Sequence, residues 1–334
     1  MAQESVRGLK AVVTGGAGFI GSELTRQLVE NGADVTVLDN FLSGKMKYIR
    51  DMPVKVVKGD VCNSKVVSKC VRGQEVVYHL AALPFIPDCY VNPQEFFRAN
   101  VEGSINVMWQ AIRSGSVKRL VYVSTSEVYG TAEGVPMNED HPTRPHSTYA
   151  VSKLAADRAI FTLHKEQGFP VVIIRPFNTY GPNITQPYII PEIVVQLLEG
   201  SGVLTLGNVE SSRDFTFVED TARAIMLASL SPQAIGEVIN VGSGFDITIM
   251  DLAKLIARVL GREFRFEKDD SRLRPYDVNR LVCDNSKAKR FLGWEPRVAL
   301  EAGLKKTIDW IRSNPLDFKA PFRGCPAWYR RQRS

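Results

Sequence analysis

Histidine and cysteine are scarce in this 334-residue sequence, which contains four of the first and five of the second. No two cysteines have the Cys-x-x-Cys spacing of a metal site, and their odd number argues against a complete set of disulfides. The histidines form no pair with the spacing of metal ligands. The sequence therefore predicts reduced thiols at Cys62, Cys70, Cys89, Cys283 and Cys325 and no metal site.

Long apolar runs are also missing, and no stretch reaches the length of a membrane span. Residues 1–10 lack the apolar core of a signal peptide, so we expect a cytoplasmic protein with no membrane partner. Hydrophobic residues make up 44% of the chain and charged residues 23%, as in an ordinary globular enzyme. The length suits one domain plus a smaller lobe.

The excess of positive charge is local. The formal net charge is +6, and five basic residues with no acid stand between Phe318 and Ser334. The remaining chain is nearly neutral, which argues against a nucleic-acid-binding face. We expect residues 317–334 to form a solvated basic tail.

The first half alternates short β-branched runs with amphipathic helical stretches, which predicts an α/β fold with a doubly wound parallel sheet. Six runs have the character of buried strands. They are Leu9–Thr14, Asp34–Leu38, Val54–Lys58, Glu75–Leu80, Arg119–Ser124 and Val171–Arg175.

The rhythm changes beyond Phe177, where prolines interrupt the chain. Residues 191–199 and 250–260 are predicted helices and residues 238–241 a further strand. We expect a first domain over residues 1–177, with a segment near 211–242 returning to it. Residues 178–210 and 243–316 would form a smaller α/β lobe.

A glycine-rich string, Thr14-Gly15-Gly16-Ala17-Gly18-Phe19-Ile20-Gly21, directly follows the first strand and opens a helix. Glycines let backbone N–H groups approach phosphates, and the helix N-terminus supplies partial positive charge. The position between a strand and a helix indicates a Rossmann-type site for a dinucleotide pyrophosphate. We expect Gly15, Gly18, Phe19, Ile20 and Gly21 to contact the cofactor.

Asp39 lies 18 residues past Gly21, at the end of the second predicted strand. Its carboxylate can accept hydrogen bonds from ribose hydroxyls and would repel a 2′-phosphate, which favours NAD over NADP. The alternative is a surface turn acid beside Asn40. By topology, Asp60 after the third strand could reach the adenine. The small residues of Leu80-Ala81-Ala82 would let backbone pass close to the cofactor.

Tyr149 and Lys153 are four residues apart, so on a helix they share one face. A free tyrosine has a pKa near ~10, and a nearby ammonium and a positive nicotinamide ring would both favour phenolate. Tyr149 could then accept a hydroxyl proton while hydride leaves to the cofactor. The spacing gains weight because a strand ending in Ser124-Thr125-Ser126-Glu127 precedes it.

Together these motifs resemble the extended short-chain dehydrogenase/reductases, in particular the NAD-dependent epimerases and dehydratases that act on nucleotide sugars. The resemblance covers nearly the whole chain. It implies that Thr125 hydrogen-bonds the sugar 4-hydroxyl and that Tyr149 is the base for oxidation at carbon 4. It also implies cofactor contacts by Asn40, Asp60, Val61, Leu80, Ala81, Ala82, Asn100, Ser124, Tyr149, Lys153 and Pro176.

Glu127 narrows the prediction, because simple 4-epimerases of the family lack a carboxylate there. Once carbon 4 is a ketone, Glu127 could remove the carbon 5 proton, water would leave from carbon 6 and hydride would return to that carbon. This is a 4,6-dehydration. The dTDP-glucose 4,6-dehydratases carry an acidic Asp where this chain has Ser126, whereas GDP-mannose 4,6-dehydratases carry Thr-Ser-Glu. Serine is a poor acid, so Glu127 would have to serve as both base and acid.

Other activities stay open at this point. UDP-glucuronate decarboxylases resemble the same Ser-Thr-Ser-Glu-Val-Tyr-Gly string, and a 4-epimerase acting on a uronic acid is a related alternative. A decarboxylase would need a cation to receive the substrate carboxylate. A non-catalytic NAD-binding regulator is a third class, but it would have no need for the complete set of Thr125, Tyr149 and Lys153.

The resemblance also assigns residues to the sugar-nucleotide phosphates. Asn178 lies in a string that follows a strand, and Arg213 and Arg274 occupy positions where family members place an arginine beside the nucleotide. Guanidinium groups pair bidentately with phosphate oxygens. The loop 187–191 should cover the sugar. A homodimer is expected through helices over residues 94–114 and 149–167.

Overall fold

The computed structural model describes residues 5–200, 202–274 and 276–314. The predicted basic tail, Cys325 and the proline after Arg274 lie outside these ranges. Within them, no helix is long and apolar enough to cross a membrane. No group of three or more His, Cys, Asp or Glu side chains in the same ranges could hold a metal ion.

Strands and helices alternate through the described chain. The strands are β1 (Lys10–Thr14), β2 (Asp34–Asp39), β3 (Lys55–Lys58), β4 (Val76–His79), β5 (Arg119–Val123), β6 (Val171–Pro176), β7 (Asn178–Tyr180), β8 (Val203–Leu206), β9 (Ser212–Phe217), β10 (Val238–Val241), β11 (Asp246–Thr248) and β12 (Arg265–Lys268). The helices are α1 (Phe19–Glu30), α2 (Ser64–Val71), α3 (Ile86–Cys89), α4 (Pro93–Phe97), α5 (Gly103–Ser114), α6 (Thr148–Gln167), α7 (Ile189–Glu199), α8 (Val218–Leu230), α9 (Ile249–Leu260), α10 (Ser286–Leu292) and α11 (Leu300–Ser313).

Seven parallel strands form the main sheet in the order β10-β6-β5-β4-β1-β2-β3. This confirms the predicted doubly wound α/β fold, and all six strands predicted in the first half are present within one or two residues. The chain reverses its direction of growth between β1 and β4. Ligands bind at such a point, outside the carboxyl ends of the strands.

Helices cover both faces of this sheet because its strands are apolar on both sides. One buried cluster joins the sheet to α1 and α8 and includes Trp294, and the other joins it to α2, α5 and α6. β10 pairs with β6, so the chain returns to the main sheet after residue 237. Helix α10 also packs on the first cluster. The domain limits given by the sequence stay a prediction.

A third apolar cluster builds the smaller lobe from α7, α9 and α11 with β8 and β9. Two small sheets support it, β11-β9-β7 and β12-β8. The strands of these two small sheets escaped sequence analysis because they are three to six residues long and lack regular alternation. The lobe lies against the carboxyl ends of the main strands, where a large cavity opens.

Candidate active site

One cavity of about 770 Å³ runs across the carboxyl ends of β1, β2, β4 and β5 and under the smaller lobe. It brings together nearly every residue that the sequence singled out. The lining includes Gly15, Gly18, Phe19, Ile20, Gly21, Asp39, Asn40, Asp60, Val61, Leu80, Ala81, Ala82, Ser124, Thr125, Ser126, Glu127, Tyr149, Lys153, Pro176, Asn178, Arg213 and Arg274.

The glycine loop is shaped so that side chains are excluded from it. Gly15 has φ +71°, and a Cβ there would lie 2.8 Å from the backbone nitrogen of Ala81. A Cβ on Gly21 would lie 2.0 Å from the carbonyl oxygen of Gly15. The loop therefore folds closely against the end of β4 and the start of α1, with Gly15, Gly18 and Gly21 lining the cavity. This cradle suits a pyrophosphate.

Asp39 closes the next strand end and is 5% exposed. Its carboxylate accepts hydrogen bonds from the backbone N–H groups of Ala17, at 3.0 Å, and Phe41, at 2.8 Å. Burial raises the pKa of this carboxyl, and the two backbone hydrogen bonds lower it. Two oxygens offer about four acceptor positions, so Asp39 can hold the glycine loop and still accept from ribose hydroxyls.

The rim beside Asp39 carries a chain of charges. Asp60 accepts from the backbone N–H of Cys62 at 2.8 Å and lies 3.6 Å from the guanidinium of Arg98. Arg98 in turn pairs with Glu95 at 3.2 Å. Asp60 and Arg98 line the same cavity as Asp39.

Asn100 differs from the sequence expectation, because it lies behind the cavity wall and does not line the cavity. Its amide donates to the carbonyl of Leu83 and, at 2.9 Å, to the hydroxyl of Ser152, and its oxygen accepts from the N–H of Leu83. The side chain is fully buried and its hydrogen-bonding groups are used. Asn100 therefore fixes the loop that follows Ala82 to helix α6.

The end of β5 delivers the serine–threonine string to the middle of the cavity. Ser124 is 4% exposed, and its buried hydroxyl has no hydrogen-bond partner within the described chain. Thr125 caps a 3-10 turn, Ser126–Tyr129, by accepting from the N–H of Glu127 at 3.2 Å. An unpaired buried hydroxyl costs free energy, so the Ser124 hydroxyl fits a site that receives a polar ligand.

Tyr149 and Lys153 lie on one face of α6, whose N-terminus is capped by the hydroxyl of Ser147. Both side chains are buried beside the string from β5. Burial raises the pKa of Tyr149, the neighbouring Thr125 hydroxyl lowers it, and the charge of Glu127 raises it. Tyr149 lines the cavity together with Thr125 and Glu127.

Lys153 is anchored to the last residue of β5. Its ammonium donates to the backbone carbonyl of Val123 at 2.7 Å and lies 4.4 Å from the ring centre of Tyr122. Burial lowers the pKa of Lys153 to about 7, against the smaller opposing effect of Asp157. Sealed from water, the phenol and the ammonium each lose hydration of their charged form. The predicted effect of Lys153 and the nicotinamide ring on the phenolate stays a prediction.

The smaller lobe contributes the opposite wall. Asn178 begins β7 and its buried side-chain oxygen has no partner among the described residues, while Arg213 enters from β9. Asp277 lies 3.4 Å from the guanidinium of Arg213 and 3.5 Å from that of Arg274. Burial lowers the pKa of Arg213, and the charges of Glu127 and Asp277 raise it. Two cations thus converge on one acid beside Glu127.

Sequence reasoning missed Asp277, whose only signal was its three-residue distance from Arg274. It also missed Phe85, whose ring meets that of Tyr188 at 5.9 Å in a T-shaped contact over the cavity. Glu192, in the first turn of α7, was missed as well. Its carboxylate pairs with Arg272, and burial raises its pKa to about 6. None of these three residues belongs to a motif with a characteristic spacing, so the sequence alone does not single them out.

Comparison with known proteins identifies the family to which this chain belongs. The model of the GDP-mannose 4,6-dehydratase family matches residues 12–307, which covers the main sheet and most of the smaller lobe. The chain belongs to the GDP-mannose 4,6-dehydratase family. Members of this family are nucleotide-sugar enzymes of the NAD-dependent epimerase/dehydratase type.

Two curated relatives of this family member differ in named activity. A dTDP-glucose 4,6-dehydratase of Streptomyces niveus is 32% identical over 317 residues, which cover 92% of this chain and 94% of the relative. UDP-glucuronic acid decarboxylase 1 of Xenopus tropicalis is 32% identical over 314 residues, covering 91% of this chain and 72% of the relative. Identity at this level supports an enzyme of the family without separating the two reactions.

A solved structure agrees with the fold over the whole domain. DesIV, a dTDP-glucose 4,6-dehydratase from Streptomyces venezuelae crystallised with NAD, superposes with a TM-score of 0.86. It is 31% identical, and the match covers 94% of this family member and 100% of DesIV.

Proposed function

We propose that this chain is an NAD-dependent nucleotide-sugar 4,6-dehydratase. The observation that carries the proposal is that Thr125, Glu127 and Tyr149 line the same cavity, with Thr125 directly after β5 and Tyr149 in the first turn of α6. A 4-epimerase needs an acid–base pair at carbon 4 alone. A carboxylate beside that pair supplies the second proton transfer that elimination across carbons 5 and 6 requires.

Gly15, Gly18 and Gly21 would hold the pyrophosphate of NAD, and Asp39 the adenosine ribose. Ser124 and Lys153 would hold the nicotinamide end, since both are buried and line the same cavity. NAD supplies the hydride acceptor for carbon 4 and later the hydride donor for carbon 6.

In the first half-reaction, the proton of the sugar 4-hydroxyl passes to the Tyr149 oxygen as the carbon 4 hydride leaves. Thr125 orients that hydroxyl by a hydrogen bond. Because burial raises the pKa of Tyr149, the phenol would first have to lose its own proton to solvent before it could accept that of the sugar. The positive nicotinamide ring would favour the phenolate at the moment of transfer.

In the second half-reaction, Glu127 removes the carbon 5 proton, which the carbon 4 ketone has made acidic. The carbon 6 hydroxyl leaves with a proton as water. Addition of hydride at carbon 6 and of a proton at carbon 5 would then give the 4-keto-6-deoxy sugar. Ser126 is 2% exposed beside Glu127. The Ser126 hydroxyl would orient the leaving group, and Glu127 would pass the carbon 5 proton to the departing hydroxyl. The proton released from the 4-hydroxyl through Tyr149 balances the one that carbon 5 takes up at the end.

The sugar nucleotide would lie under the smaller lobe. Arg213 and Arg274 would bind its diphosphate, since guanidinium groups bind phosphate oxygens bidentately. Asn178 would donate to the same group. Asp277 keeps the two arginines together, because each lies within 3.5 Å of its carboxylate oxygen.

A decarboxylase or 4-epimerase acting on a uronic acid is the second candidate. One observation favours it, namely that the buried cation Arg213 lines the same cavity as Glu127. Such a cation could receive a sugar carboxylate. If Arg213 bound a sugar carboxylate, it would be unavailable to the diphosphate. This consideration favours the dehydratase.

The deciding experiment incubates the purified protein with NAD and, separately, with dTDP-glucose, GDP-mannose, UDP-N-acetylglucosamine and UDP-glucuronate. The dehydratase predicts a 4-keto-6-deoxy product from a neutral hexose, without net consumption of NAD. Carbon dioxide from UDP-glucuronate, with no keto sugar from any neutral hexose, would replace the proposal with the second candidate.

A homodimer is also proposed, through the two helical segments predicted from the sequence. Phe97, Ile105 and Trp109 form an apolar stripe at four- to eight-residue spacing, and each is 38–40% exposed. Val151 on α6 adds a fourth exposed apolar side chain at 40%. Apolar side chains clustered in this way are typical of a contact surface.

A further inference from the structure

Arg175 is a buried cation that touches two separate parts of the site. It lies in β6 and is 2% exposed. Two of its nitrogens donate to the two carboxylate oxygens of Asp157, at 2.9 and 3.2 Å. Its third donates to the hydroxyl of Tyr129 at 2.9 Å. The guanidinium therefore links helix α6 to the 3-10 turn that begins at Ser126.

The Tyr129 side of this link is fully hydrogen-bonded. Its hydroxyl donates to the side-chain oxygen of Asn240 at 2.7 Å, and that amide donates to the carbonyl of Met137. Tyr129 stands two residues after Glu127 and ends the same turn. A hydrogen bond on its hydroxyl therefore fixes the turn that carries Glu127.

The Asp157 side acts on Lys153. Asp157 follows Lys153 by one helical turn on α6 and is fully buried. The other groups facing the ammonium are Tyr149 on the same helix, the Tyr122 ring on β5 and His79 on β4. Burial lowers the pKa of His79 to about 3, so it is neutral. Asp157 is the acid whose charge opposes the desolvation of Lys153.

We propose that Arg175 is a positioning residue that holds the two halves of the catalytic machinery in register. Through Asp157 it fixes the part of α6 that carries Lys153 one helical turn earlier, and through Tyr129 it fixes the turn that presents Glu127. The proposal rests on the dehydratase function for the role of Glu127. Its Asp157 arm concerns oxidation at carbon 4, which dehydratases, decarboxylases and 4-epimerases share.

A buried ion pair is weak evidence for stability alone, because well-packed apolar residues often stabilise as much. What favours a positioning role is the third donor of Arg175, which reaches the Glu127 turn, while its two others hold the acid that acts on Lys153. The two arms can be cut separately, since Tyr129 and Asp157 share no hydrogen bond other than through Arg175.

The first test cuts the Tyr129 arm. Tyr129→Phe should leave the rate of NAD reduction by the active sugar nucleotide within about two-fold, while exchange of the carbon 5 proton with solvent falls about ten-fold or more. Reduced cofactor should then accumulate on the enzyme. Tyr78→Phe, which removes another buried hydroxyl bonded to Ser229 at 2.6 Å, should change neither step.

The second test cuts the Asp157 arm. Asp157→Asn should move the alkaline limb of the NAD-reduction profile to lower pH by about one unit, because the remaining neighbours disfavour the ammonium. Glu166→Gln, an exposed change on the same helix, should leave the profile in place. Equal slowing of both steps in both variants, with unmoved pH profiles, would reduce Arg175 to a scaffold residue.

Two readouts work without any substrate and separate this proposal from the dehydratase function. Titration of the Lys153 ammonium by nitrogen-15 NMR, assigned through Lys153→Met, should give a lower midpoint in Asp157→Asn. Hydrogen exchange in Tyr129→Phe should quicken at residues 126–130 and not along α6. The proposal is overturned if the Lys153 midpoint does not move in Asp157→Asn and hydrogen exchange is unchanged in Tyr129→Phe. This holds even if the wild type proves to be a dehydratase. The expected shifts uphold it even if the product is that of a decarboxylase.

Discussion

The ammonium of Lys153 donates a hydrogen bond of 2.7 Å to the backbone carbonyl of Val123. This bond joins helix α6 to the last residue of β5, directly before Ser124 and Thr125. The two motifs that share the chemistry are therefore fastened by a charged group that is itself only 2% exposed. Because the ammonium is buried, its effects on stability and on activity can be measured.

Replacement of the lysine should stabilise the protein while abolishing its activity. Burial lowers the pKa of Lys153 from 10.5 to about 7. Between these values the unfolded chain binds a proton that the folded chain has released, so the free energy of unfolding rises with pH across that window. Below about pH 7 the folded state bears the full cost of the buried charge.

Lys153→Met should therefore raise the free energy of unfolding by about 2 kcal/mol near pH 6, after allowance for the unpaired Val123 carbonyl. The difference should shrink as pH rises toward 10. Urea unfolding at several pH values measures it, with the exposed Lys165→Met as the control. A loss of stability that is independent of pH would contradict this account of the buried charge.

Glu127→Gln should separate the two half-reactions. The amide keeps the shape of the side chain but cannot accept the carbon 5 proton, so turnover should fall about 10²- to 10⁴-fold. Binding of NAD and sugar nucleotide should be retained, and reduced cofactor should accumulate. Deuterium exchange at carbon 5, followed by NMR, is the measurement. Glu133→Gln on the neighbouring loop is the control, and unchanged turnover in Glu127→Gln would remove the dehydratase proposal.

Tyr149→Phe should stop the first half-reaction instead. Without the phenol, the 4-hydroxyl proton has no acceptor, and NAD reduction should slow by about 10²- to 10⁴-fold. The ring remains in its apolar pocket with Phe96, so the fold should persist. Stopped-flow absorbance of the reduced cofactor reports the step. Tyr276→Phe, an exposed change, should behave as wild type, and normal reduction in Tyr149→Phe would assign the base elsewhere.

Asp39→Asn should weaken NAD binding and reduce discrimination against NADP. The carboxylate holds Ala17 and Phe41 by their N–H groups, and its charge would repel a 2′-phosphate. We expect about ten-fold weaker NAD binding, or about 1.4 kcal/mol, and a smaller loss for NADP. Calorimetric titration measures both. Asp34→Asn, at the exposed start of the same strand, should keep the wild-type preference, and parallel losses for both dinucleotides would show that Asp39 only supports the loop.

Ile105→Glu should dissociate the proposed homodimer. A charge in the middle of the apolar stripe formed with Phe97 and Trp109 would have to be desolvated on association. Light scattering after gel filtration should give a mass near 37.2 kDa for this variant and twice that for the wild type. Val135→Glu, at another exposed apolar position, should remain dimeric. A monomeric wild type would end the proposal.

Local rules were enough for part of the site. The glycine string could be assigned from sequence because the backbone passes too close to Gly15 and Gly21 to leave room for a Cβ. Glycines are therefore required at fixed positions, and their spacing can be recognised in the sequence. Tyr149 and Lys153 could be paired because helical geometry places residues four apart on one face. The buried strands could be predicted because runs of β-branched residues bounded by turn residues are typical of β-strands.

Tertiary structure alone decided the electrostatics. Nothing in the sequence shows that Lys153 points to Val123 and loses its hydration, that Arg213 and Arg274 share Asp277, or that Asn100 lies behind the wall. Nor does it show that Arg175 joins Asp157 to Tyr129. These contacts join residues between 3 and 64 positions apart, and the pKa of a group depends on what surrounds it in space. The sequence determined which chemical groups this protein carries and on which elements they stand; packing of the two lobes decided which of them meet and in which charge state.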